Sequence, residues 1–462
     1  MLFNSLQFLV FFAFVISLYY ALPHRSRWAL LLAASCYFYM VFVPVYILIL
    51  FAVIAVDYLA AFLIARSEGK KRKVFLGLSL AANLGILVYF KYYNFFLENI
   101  SLLLQTFEVH NPLSFLYVVL PIGLSFHTFQ AMSYTIEVYR GNQKPERHLG
   151  IYALYVLFFP QLVAGPIERP QNLLHQLRAR VVFSNYNLRR GLLLMAWGFF
   201  KKSVIADRLA EVSDRCFNTW WEHSPATMWL GVIFYSIQIY CDFSGYSDIA
   251  IGAAKTMGIN LMENFKNPYL SFSLTEFWRR WHISLSTWFR DYIYFPLGGS
   301  KVKTLRFCFN ILIVFLLSGL WHGANYTFLV WALIHASVLM IEHIFYKHKY
   351  PADPFSAALR RVYVFLVTTL AWVFFRSQSM PQALEILKKL SGYSSAPLHI
   401  SFNTTELVFS FVLILILLVA EKPIKQFNIE SGKKYYPLLW GLVLIAYFFG
   451  IYNYKQFIYF QF

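Results

Sequence analysis

The residues with the clearest chemical potential lie in the segment Ser318–Asn325, whose sequence is SGLWHGAN. His322 stands between two apolar runs, and an ionisable side chain at membrane depth is costly enough to indicate a function. A neutral imidazole, with an ordinary pKa of about 6.5, is a suitable general base. Gly319 and Gly323 would let a substrate or another backbone approach closely, and Asn325 is placed to orient the ring. The alternative is a histidine satisfied by neighbouring helices.

A second polar stretch, Ser271–Gly299, has the sequence SFSLTEFWRRWHISLSTWFRDYIYFPLGG. Ser273, followed by Glu276 three residues later, forms a capping-box pattern that predicts a helix running to about Phe289. Four apolar side chains recur at helical spacing and give this helix one face: Trp278, Trp281, Leu285 and Trp288.

His282 and Ser286 are four residues apart and share another face of the same predicted helix. Arginines that could recognise phosphate bidentately accompany them: Arg279, Arg280 and Arg290, with Asp291 following. This pattern predicts one wall of a water-accessible site for a phosphate-bearing ligand. The alternative is an interfacial amphipathic helix, with tryptophans in the aromatic belt and arginines on lipid headgroups, and the helix could serve both purposes.

Two aspartates interrupt a long apolar run in the sequence DFSGYSD, which contains Asp242, Tyr246 and Asp248. Charges inside a membrane segment usually pair with one another. We therefore favour structural ion pairs that join helices, with Arg279, Arg280 or Arg290 as the expected partners. Two further histidines, His127 and His335, also lie in apolar runs, but no comparable polar, glycine-flanked neighbourhood surrounds them.

The composition indicates a membrane protein, because 59% of the 462 residues are hydrophobic and 13% are charged, whereas soluble chains are about 25% charged. About eleven apolar segments approach the length of roughly 20 residues that crosses a bilayer. Pro112–Tyr139 and Ile151–Gly165 are interrupted by proline and glycine, which predicts re-entrant helices or walls of a cavity. We expect an all-α fold that forms one membrane-embedded domain over residues 1–462.

The formal net charge of +18 lies mainly in short loops between apolar segments. This pattern indicates cytoplasmic loops beside anionic lipid and not nucleic-acid binding. If the basic loop Arg66–Lys73 is cytoplasmic, the three crossings before it place the N-terminus outside the cytoplasm. The four cysteines are scattered without a C-x-x-C pair, so neither a disulfide scaffold nor a zinc site is indicated, and we predict no metal.

At these motifs the chain resembles the membrane-bound O-acyltransferases, and within them the alginate O-acetyltransferase branch. The resemblance covers nearly the whole chain and rests on long segments in a fixed order: Val163–Pro170, Cys241–Tyr269, Phe277–Gly299 and Ser318–Ala336. Ala332 and Ala336 stand where many relatives have glycine, which affects helix packing or tunnel width but leaves the histidines in place.

The resemblance implies a ring of helices around a central tunnel, with His322 as the catalytic histidine and His282 as the second active-site residue. It implies acetyl-CoA as a cytoplasmic co-substrate, with no bound cofactor, and the cytoplasmic (inner) membrane of a bacterium as the location. The remaining residues that we expect along the tunnel or at coenzyme A are Trp278, Arg279, Arg280, Trp281, Ser286, Arg290, Asp291, Asn325, Asp242 and Tyr246.

Relatives pass acetyl across the membrane to an extracytoplasmic partner that esterifies a polysaccharide. We therefore expect a periplasmic or extracytoplasmic serine acetyltransferase and the polysaccharide synthesis machinery as partners. An alginate-like exopolysaccharide is the expected acceptor, with peptidoglycan or teichoic-acid-type transfer as alternatives. A non-enzymatic transporter, with the aspartates and arginines along its path, is the rival class, although no inverted repeat of the kind many transporters show is visible.

Overall fold

The computed structural model describes residues 1–109, 111, 113–116, 121–346, 351, 353–392, 404–430, 432–452 and 457–458. Within these ranges the regular structure is helical and no β-strand occurs, which confirms the all-α prediction. The first seven helices are α1 Leu6–Ala21, α2 His24–Met40, α3 Ile47–Arg66, α4 Gly69–Thr106, α5 Leu124–Arg140, α6 Leu149–Leu157 and α7 Pro170–Arg178.

The remaining helices include the segments with the candidate histidines. They are α8 Asn185–Phe199, α9 Asp207–Asn218, α10 Pro225–Thr256, α11 Leu274–Arg280, α12 Ile283–Phe289, α13 Thr304–His322, α14 Tyr326–Ile341, α15 Pro354–Arg376, α16 Met380–Ser391, α17 Thr404–Lys425 and α18 Gly432–Phe449. Wider π-helical turns follow three of them, at Phe200–Ala206, Arg290–Tyr294 and Glu342–Tyr346.

Six helices among the described residues are long and apolar enough to cross a membrane. They are Pro44–Arg66, Gly69–Thr106, Thr304–His322, Tyr326–Phe345, Pro354–Arg376 and Thr404–Lys425. The other segments that we expected to cross form shorter or more polar helices, such as the 16-residue α1. These six candidate spans agree with the predicted polytopic architecture, and the count of about eleven and the ring around a tunnel stay predictions.

The basic segment before the fourth apolar run differs from its prediction as a loop. Helix α4 begins at Gly69, so Lys70, Lys71, Arg72 and Lys73 form its first turn. The chain outside the helices here consists of Ser67 and Glu68 alone. The reason is that lysine and arginine are good helix formers. The three lysines are exposed from this turn, whereas Arg72 donates to the backbone oxygens of Val138 and Tyr139.

The chain divides into two compact units, Met1–Leu192 with Ala250–Met262, and Leu193–Ile249 with Glu263–Phe462. The expectation of one domain over residues 1–462 stays a prediction. In the first unit, α3, α4 and α5 pack together. In the second unit, α13 packs along α14, and α14 packs along α15. Both candidate histidines belong to the second unit.

Candidate active site

His322 is the last residue of α13 and is 5% exposed. Three aromatic rings surround its imidazole at edge-on angles: Trp321 at 4.9 Å, Trp331 at 5.1 Å and Phe375 at 5.1 Å between centroids. The helix ends at Gly323, whose extended backbone turns the chain toward α14. The sequence SGLWHGAN therefore places an imidazole inside an aromatic cluster at the end of a candidate membrane-spanning helix.

The glycines around His322 let helix α14 approach α13. A Cβ atom at Gly319 would lie 2.6 Å from the backbone oxygen of Phe328, and one at Gly323 would lie 2.1 Å from the Phe328 ring. The sequence left open whether a substrate or another backbone approaches these glycines. At Gly319 the structure shows the backbone of α14 in close approach. Any larger residue there would push α14 and its Trp331 away from His322.

Asn325 does not orient the imidazole of His322, so that prediction is wrong. Its Oδ1 accepts a hydrogen bond from the backbone N–H of Thr327 at 3.0 Å, and its Nδ2 donates to the backbone oxygen of Gln378 at 2.9 Å. Asparagine is a preferred N-cap residue because its short side chain reaches these first amides. Asn325 therefore starts α14, the helix that brings Trp331 to His322.

His282 interrupts the helix that the sequence predicted to run unbroken to Phe289. Ser273 caps α11 as expected, accepting a hydrogen bond from the backbone N–H of Glu276 at 3.1 Å. However, α11 ends at Arg280, and His282 adopts a left-handed conformation with φ of 43° before α12 begins. The prediction of one continuous helix, with His282 and Ser286 on a shared face, is therefore wrong, and His282 forms the corner between two short helices.

Asn264 explains why the chain breaks at His282. Its backbone oxygen accepts from the N–H of Ile283 at 3.0 Å, and its Oδ1 accepts from the N–H of Ser284 at 3.1 Å. These two amide N–H groups belong to the first turn of α12, where N–H groups have no acceptor within their own helix. A loop residue from a distant part of the sequence thus caps α12, and the backbone at His282 bends to allow it.

The same Asn264 oxygen determines the tautomer of His282. Because this atom accepts the Ser284 amide, it is an oxygen, and the His282 Nδ1 at 3.2 Å must donate its hydrogen to it. In a neutral imidazole the other nitrogen, Nε2, then has a lone pair. His282 is 1% exposed and lies outside the six candidate spans, and burial lowers its pKa to about 3. The ring is therefore neutral, with Nε2 able to accept a proton or a hydrogen bond.

Trp321 contacts both candidate histidines. Its ring centroid lies 4.9 Å from that of His322 and 6.1 Å from that of His282, in both cases edge-on. Phe243 also contacts His282 edge-on, with the ring centroids 4.6 Å apart. The structure thus brings the two histidines, which are 40 residues apart in the sequence, into one aromatic cluster.

The predicted tryptophans also join this cluster. Trp281 is 1% exposed and stacks on Phe277 at 5.4 Å, and Trp278 lies 5.8 Å from Trp331. The indole N–H of Trp278 donates to Nδ1 of His335 at 3.3 Å. Ser286 is turned back toward the break, where its hydroxyl donates to the backbone oxygen of Trp281 at 3.2 Å.

The predicted phosphate-binding arginines differ in their partners. Arg280 pairs with Glu276 one turn earlier in α11, and Arg290 donates to Asp291 at 2.8 Å on an exposed surface. Arg279 is exposed. Of the three, Arg279 has the guanidinium best placed for an external anion, because the other two already contact a carboxylate.

Asp242 and Asp248 form buried ion pairs, as favoured from the sequence, but with lysines and not with arginines. Lys202 contacts Asp242 at 2.5 Å and Asp207 at 2.8 Å, and Lys201 contacts Asp248 at 2.6 Å. The prediction of Arg279, Arg280 or Arg290 as partners is therefore wrong. The other oxygen of Asp242 accepts from the backbone N–H of Ile458 at 2.9 Å, so this carboxylate is engaged within the protein.

The π-helical turn Phe200–Ala206 explains how both lysines reach the aspartates. Its wider winding places the consecutive residues Lys201 and Lys202 both in the interior, where they are 0% and 7% exposed. Close contact between α8 and α10 supports this, because a Cβ at Gly198 would lie 2.6 Å from the backbone oxygen of Gly245. Carboxylates raise the pKa of Lys202 overall, although burial alone lowers it.

Sequence reasoning missed several residues of this region. Asn264 lies inside the motif Cys241–Tyr269, but its neighbours Glu263 and Phe265 give no signal of its role. Lys201 and Lys202 form a basic pair inside an apolar run, which was an available signal for a buried partner of the aspartates. Tyr246, which was predicted, is 6% exposed and lies 5.0 Å from the ring of Phe457.

Comparison of the chain with known proteins identifies its family. The membrane-bound O-acyltransferase family matches residues 88–380. The probable alginate O-acetylase AlgI of Azotobacter vinelandii is 38% identical over 92% of this chain and 86% of its own length. The peptidoglycan O-acetyltransferase of Helicobacter pylori is 36% identical over 81% of this chain and 76% of its own length. The teichoic acid D-alanyltransferase of Bacillus subtilis is 29% identical over 52% of this chain and 61% of its own length.

The family match covers more than half of the chain and includes both histidines, Trp278, Trp281 and the whole of α13 and α14. The match and the apolar helices also agree on an integral membrane protein. An enzyme is thereby favoured over the rival transporter. The chain belongs to the membrane-bound O-acyltransferase family and is an O-acyltransferase.

Proposed function

We propose that this protein takes acetyl from cytoplasmic acetyl-CoA and passes it across a bacterial cytoplasmic membrane for O-acetylation of an extracytoplasmic polysaccharide. The observation that supports this most is the burial of His322 among Trp321, Trp331 and Phe375 at the end of a candidate spanning helix. An ionisable ring at such a place has a functional explanation by default. The similarity to alginate O-acetylases over most of the chain supports acetyl as the group transferred.

His322 acts in this proposal as the general base. The oxygen of the acceptor hydroxyl attacks the thioester carbonyl carbon and forms the new C–O bond, while its hydrogen passes to the imidazole. The C–S bond then breaks, and the imidazolium returns the proton to the departing sulfur of coenzyme A. General-base catalysis of this kind contributes about 10²–10⁴-fold, and positioning contributes much of the rest.

His282 belongs to the acceptor side of the reaction. With its Nδ1–H donated to Asn264 Oδ1 at 3.2 Å, its Nε2 accepts hydrogen bonds and donates none. A thioester carbonyl accepts hydrogen bonds and so finds no donor in this ring. A hydroxyl group of the acceptor can donate a hydrogen bond to Nε2, so we assign His282 to binding that group.

The test is transfer of radiolabelled acetyl from acetyl-CoA by purified protein in lipid nanodiscs. We expect His322→Ala to lower the rate by about 10²–10⁴-fold, because no base then accepts the hydroxyl proton. His223→Ala is the matched control, since His223 lies in a partly exposed turn where it contacts Thr219. A rate for His322→Ala close to that of the wild type would remove the base assignment.

The acceptor polymer is an alginate-like exopolysaccharide in this proposal, with peptidoglycan as the second candidate. The relative from Helicobacter pylori supports the second, because its identity of 36% is close to the 38% of the alginate relatives. A partner protein, an extracytoplasmic serine acetyltransferase, would pass the acetyl group to the polymer. Acetylated alginate oligosaccharides or acetylated muropeptides in cells that express the chain with such a partner distinguish the two acceptors.

The orientation that we propose places the N-terminus outside the cytoplasm. The first turn of α4, with Lys70, Lys71, Arg72 and Lys73, then faces the cytoplasm beside anionic lipid. A single cysteine introduced at Lys71 in a cysteine-free variant would react with a membrane-impermeant maleimide only after the cells are permeabilised. Labelling in intact cells would contradict this orientation.

A further inference from the structure

Trp331 and His335 lie one turn apart on α14, and both are 0% exposed. Their rings are in contact, with centroids 5.0 Å apart, and the Trp331 ring is 5.1 Å from that of His322. Residues at this spacing share one face of a helix. The face of α14 that meets the catalytic histidine therefore presents two side chains with ring nitrogens.

The tautomer of His335 follows from its contact with Trp278. An indole N–H only donates, so Nδ1 of His335, at 3.3 Å from Trp278 Nε1, must accept. The hydrogen of this neutral imidazole is then on Nε2. His335 is the reverse of His282 in this respect, because His335 presents a donor at Nε2 where His282 presents an acceptor.

Neither of these two donors has a hydrogen-bond partner among the described residues. The Nε1 atom of Trp331 and the Nε2 atom of His335 are both buried without one. Burying an N–H group without an acceptor costs free energy, and phenylalanine or leucine at either position would avoid that cost. Buried unsatisfied groups in folded proteins therefore require an explanation, and a ligand that supplies the acceptor is one.

We propose that the Trp331 Nε1–H and the His335 Nε2–H bind the carbonyl oxygen of the acyl thioester and stabilise the oxyanion that forms on it. This inference rests on the proposed acyl transfer and adds the two donors that transfer requires. Attack on the thioester moves negative charge to the carbonyl oxygen until the C–S bond breaks. Donors fixed in a water-excluded site stabilise that charge strongly, and His282 cannot supply one.

The first measurement is the infrared carbonyl band of acetyl-CoA labelled with ¹³C at the acetyl carbonyl, bound to the protein in nanodiscs. We expect the bound band to lie at lower frequency than that of free acetyl-CoA, because two hydrogen bonds weaken the C=O bond. Trp331→Phe keeps an aromatic ring but removes one donor, so its band should return toward the frequency of the free thioester. Acetyl-CoA that binds with an unshifted carbonyl band overturns this inference, whereas acetyl-CoA that does not bind overturns the proposed donor.

Kinetics give the second measurement. Removal of one oxyanion donor typically lowers kcat by about 10²–10³-fold, and we expect this of Trp331→Phe with little change in KM. Trp372→Phe is the matched control. Trp372 is buried and lies 5.9 Å from Trp331, but its indole N–H already donates to the Tyr269 hydroxyl at 3.2 Å. The control should leave the carbonyl frequency as in the wild type.

Two substitutions of His335 separate substrate binding from a structural role. His335→Asn keeps an acceptor for Trp278 but loses the donor at Nε2, whereas His335→Gln returns a donor near that position and loses the acceptor for Trp278. We expect His335→Asn to lower kcat and His335→Gln to recover part of it, with both proteins retaining wild-type thermal stability within a few degrees. The opposite order would show that His335 acts only by holding Trp278, and would overturn its role as a donor.

Discussion

Asn264 holds His282 through one oxygen atom, which accepts the imidazole Nδ1–H at 3.2 Å and the Ser284 amide at 3.1 Å. The second hydrogen bond identifies the atom as an oxygen, and the first then fixes the tautomer of the ring. A residue without a titratable group therefore decides which nitrogen of the His282 ring carries the hydrogen. In other acyl-transfer sites a third group likewise orients an active-site histidine through a hydrogen bond.

We expect Asn264→Ala to lower acetyl transfer by about 10–100-fold, the range seen when an orienting partner of a functional histidine is lost. The Ser284 amide also loses its acceptor, so the free energy of unfolding should fall by about 1–3 kcal/mol. Transfer assays and thermal unfolding in detergent check the two effects. Asn260→Ala, at an exposed turn, is the control and should change neither.

His282 has a left-handed backbone conformation, with φ of 43°, and this conformation should affect stability. A left-handed residue with a Cβ atom costs about 1–2 kcal/mol, and glycine avoids this cost. We expect both His282→Gly and His282→Ala to lose acetyl transfer, with the glycine variant unfolding at the higher temperature. Equal or reversed melting temperatures would mean that α11 and α12 rearrange in the variants.

The buried pair of Lys202 and Asp242 should be essential for stability. Their side chains are 9% and 3% exposed and lie 2.5 Å apart. Removing one partner of a buried pair typically costs about 3–5 kcal/mol, since the other charge stays buried. We therefore expect Lys202→Met, which removes the cation that both Asp242 and Asp207 contact, to melt well below the wild type. The exposed pair of Lys388 and Glu385, at 3.9 Å, supplies the control, because Glu385→Gln should cost less than about 1 kcal/mol.

Glu168 should make stability depend on pH. It is 0% exposed, and burial raises its pKa from 4.5 to about 7, although hydrogen bonds from Asn172 and the Met262 backbone oppose the change. The folded protein then binds the proton more tightly than the unfolded chain. The stabilisation is complete below pH 4.5 and is lost as the pH rises toward 7, by roughly 3 kcal/mol in total.

Thermal unfolding between pH 4.5 and 8 checks this prediction. We expect Glu168→Gln to remove this part of the pH dependence, because its amide does not titrate. Glu385→Gln, on an exposed surface, should keep the wild-type profile. A Glu168→Gln variant with the same pH slope as the wild type would be inconsistent with a raised pKa at this carboxyl group.

The sequence predicted correctly those features that depend only on residues close together along the chain. The serine at position 273 caps its helix as predicted, because a hydroxyl needs only the amide three residues later. Pairing of the two aspartates inside the apolar run also followed from the cost of burying charge. Their partners did not follow, because Lys201 and Lys202 reach them through a π-helical turn that hydrophobic periodicity does not show.

The helix break at His282 and the role of Asn325 had no local signal that distinguishes them from the alternatives. The stretch from Glu276 to Phe289 has good helical periodicity. The helix stops at Arg280, where the loop at 264–266 forms hydrogen bonds with the backbone of Arg280, Ile283 and Ser284. Asn325 is as well placed in sequence to reach His322 as to cap α14. In the structure its side chain bonds to the backbone of Thr327 and Gln378, and it therefore caps α14.

The sequence by itself determined the membrane setting and the helical class, since these depend on composition and on the period of the apolar residues. Only the tertiary structure decided which nitrogen donates in His282 and His335, which charges pair, and which N–H groups on α14 have no partner in the part of the chain that the structure describes. Hydrogen-bond direction and burial depend on atoms that lie far apart along the chain, so no local pattern of residues determines them.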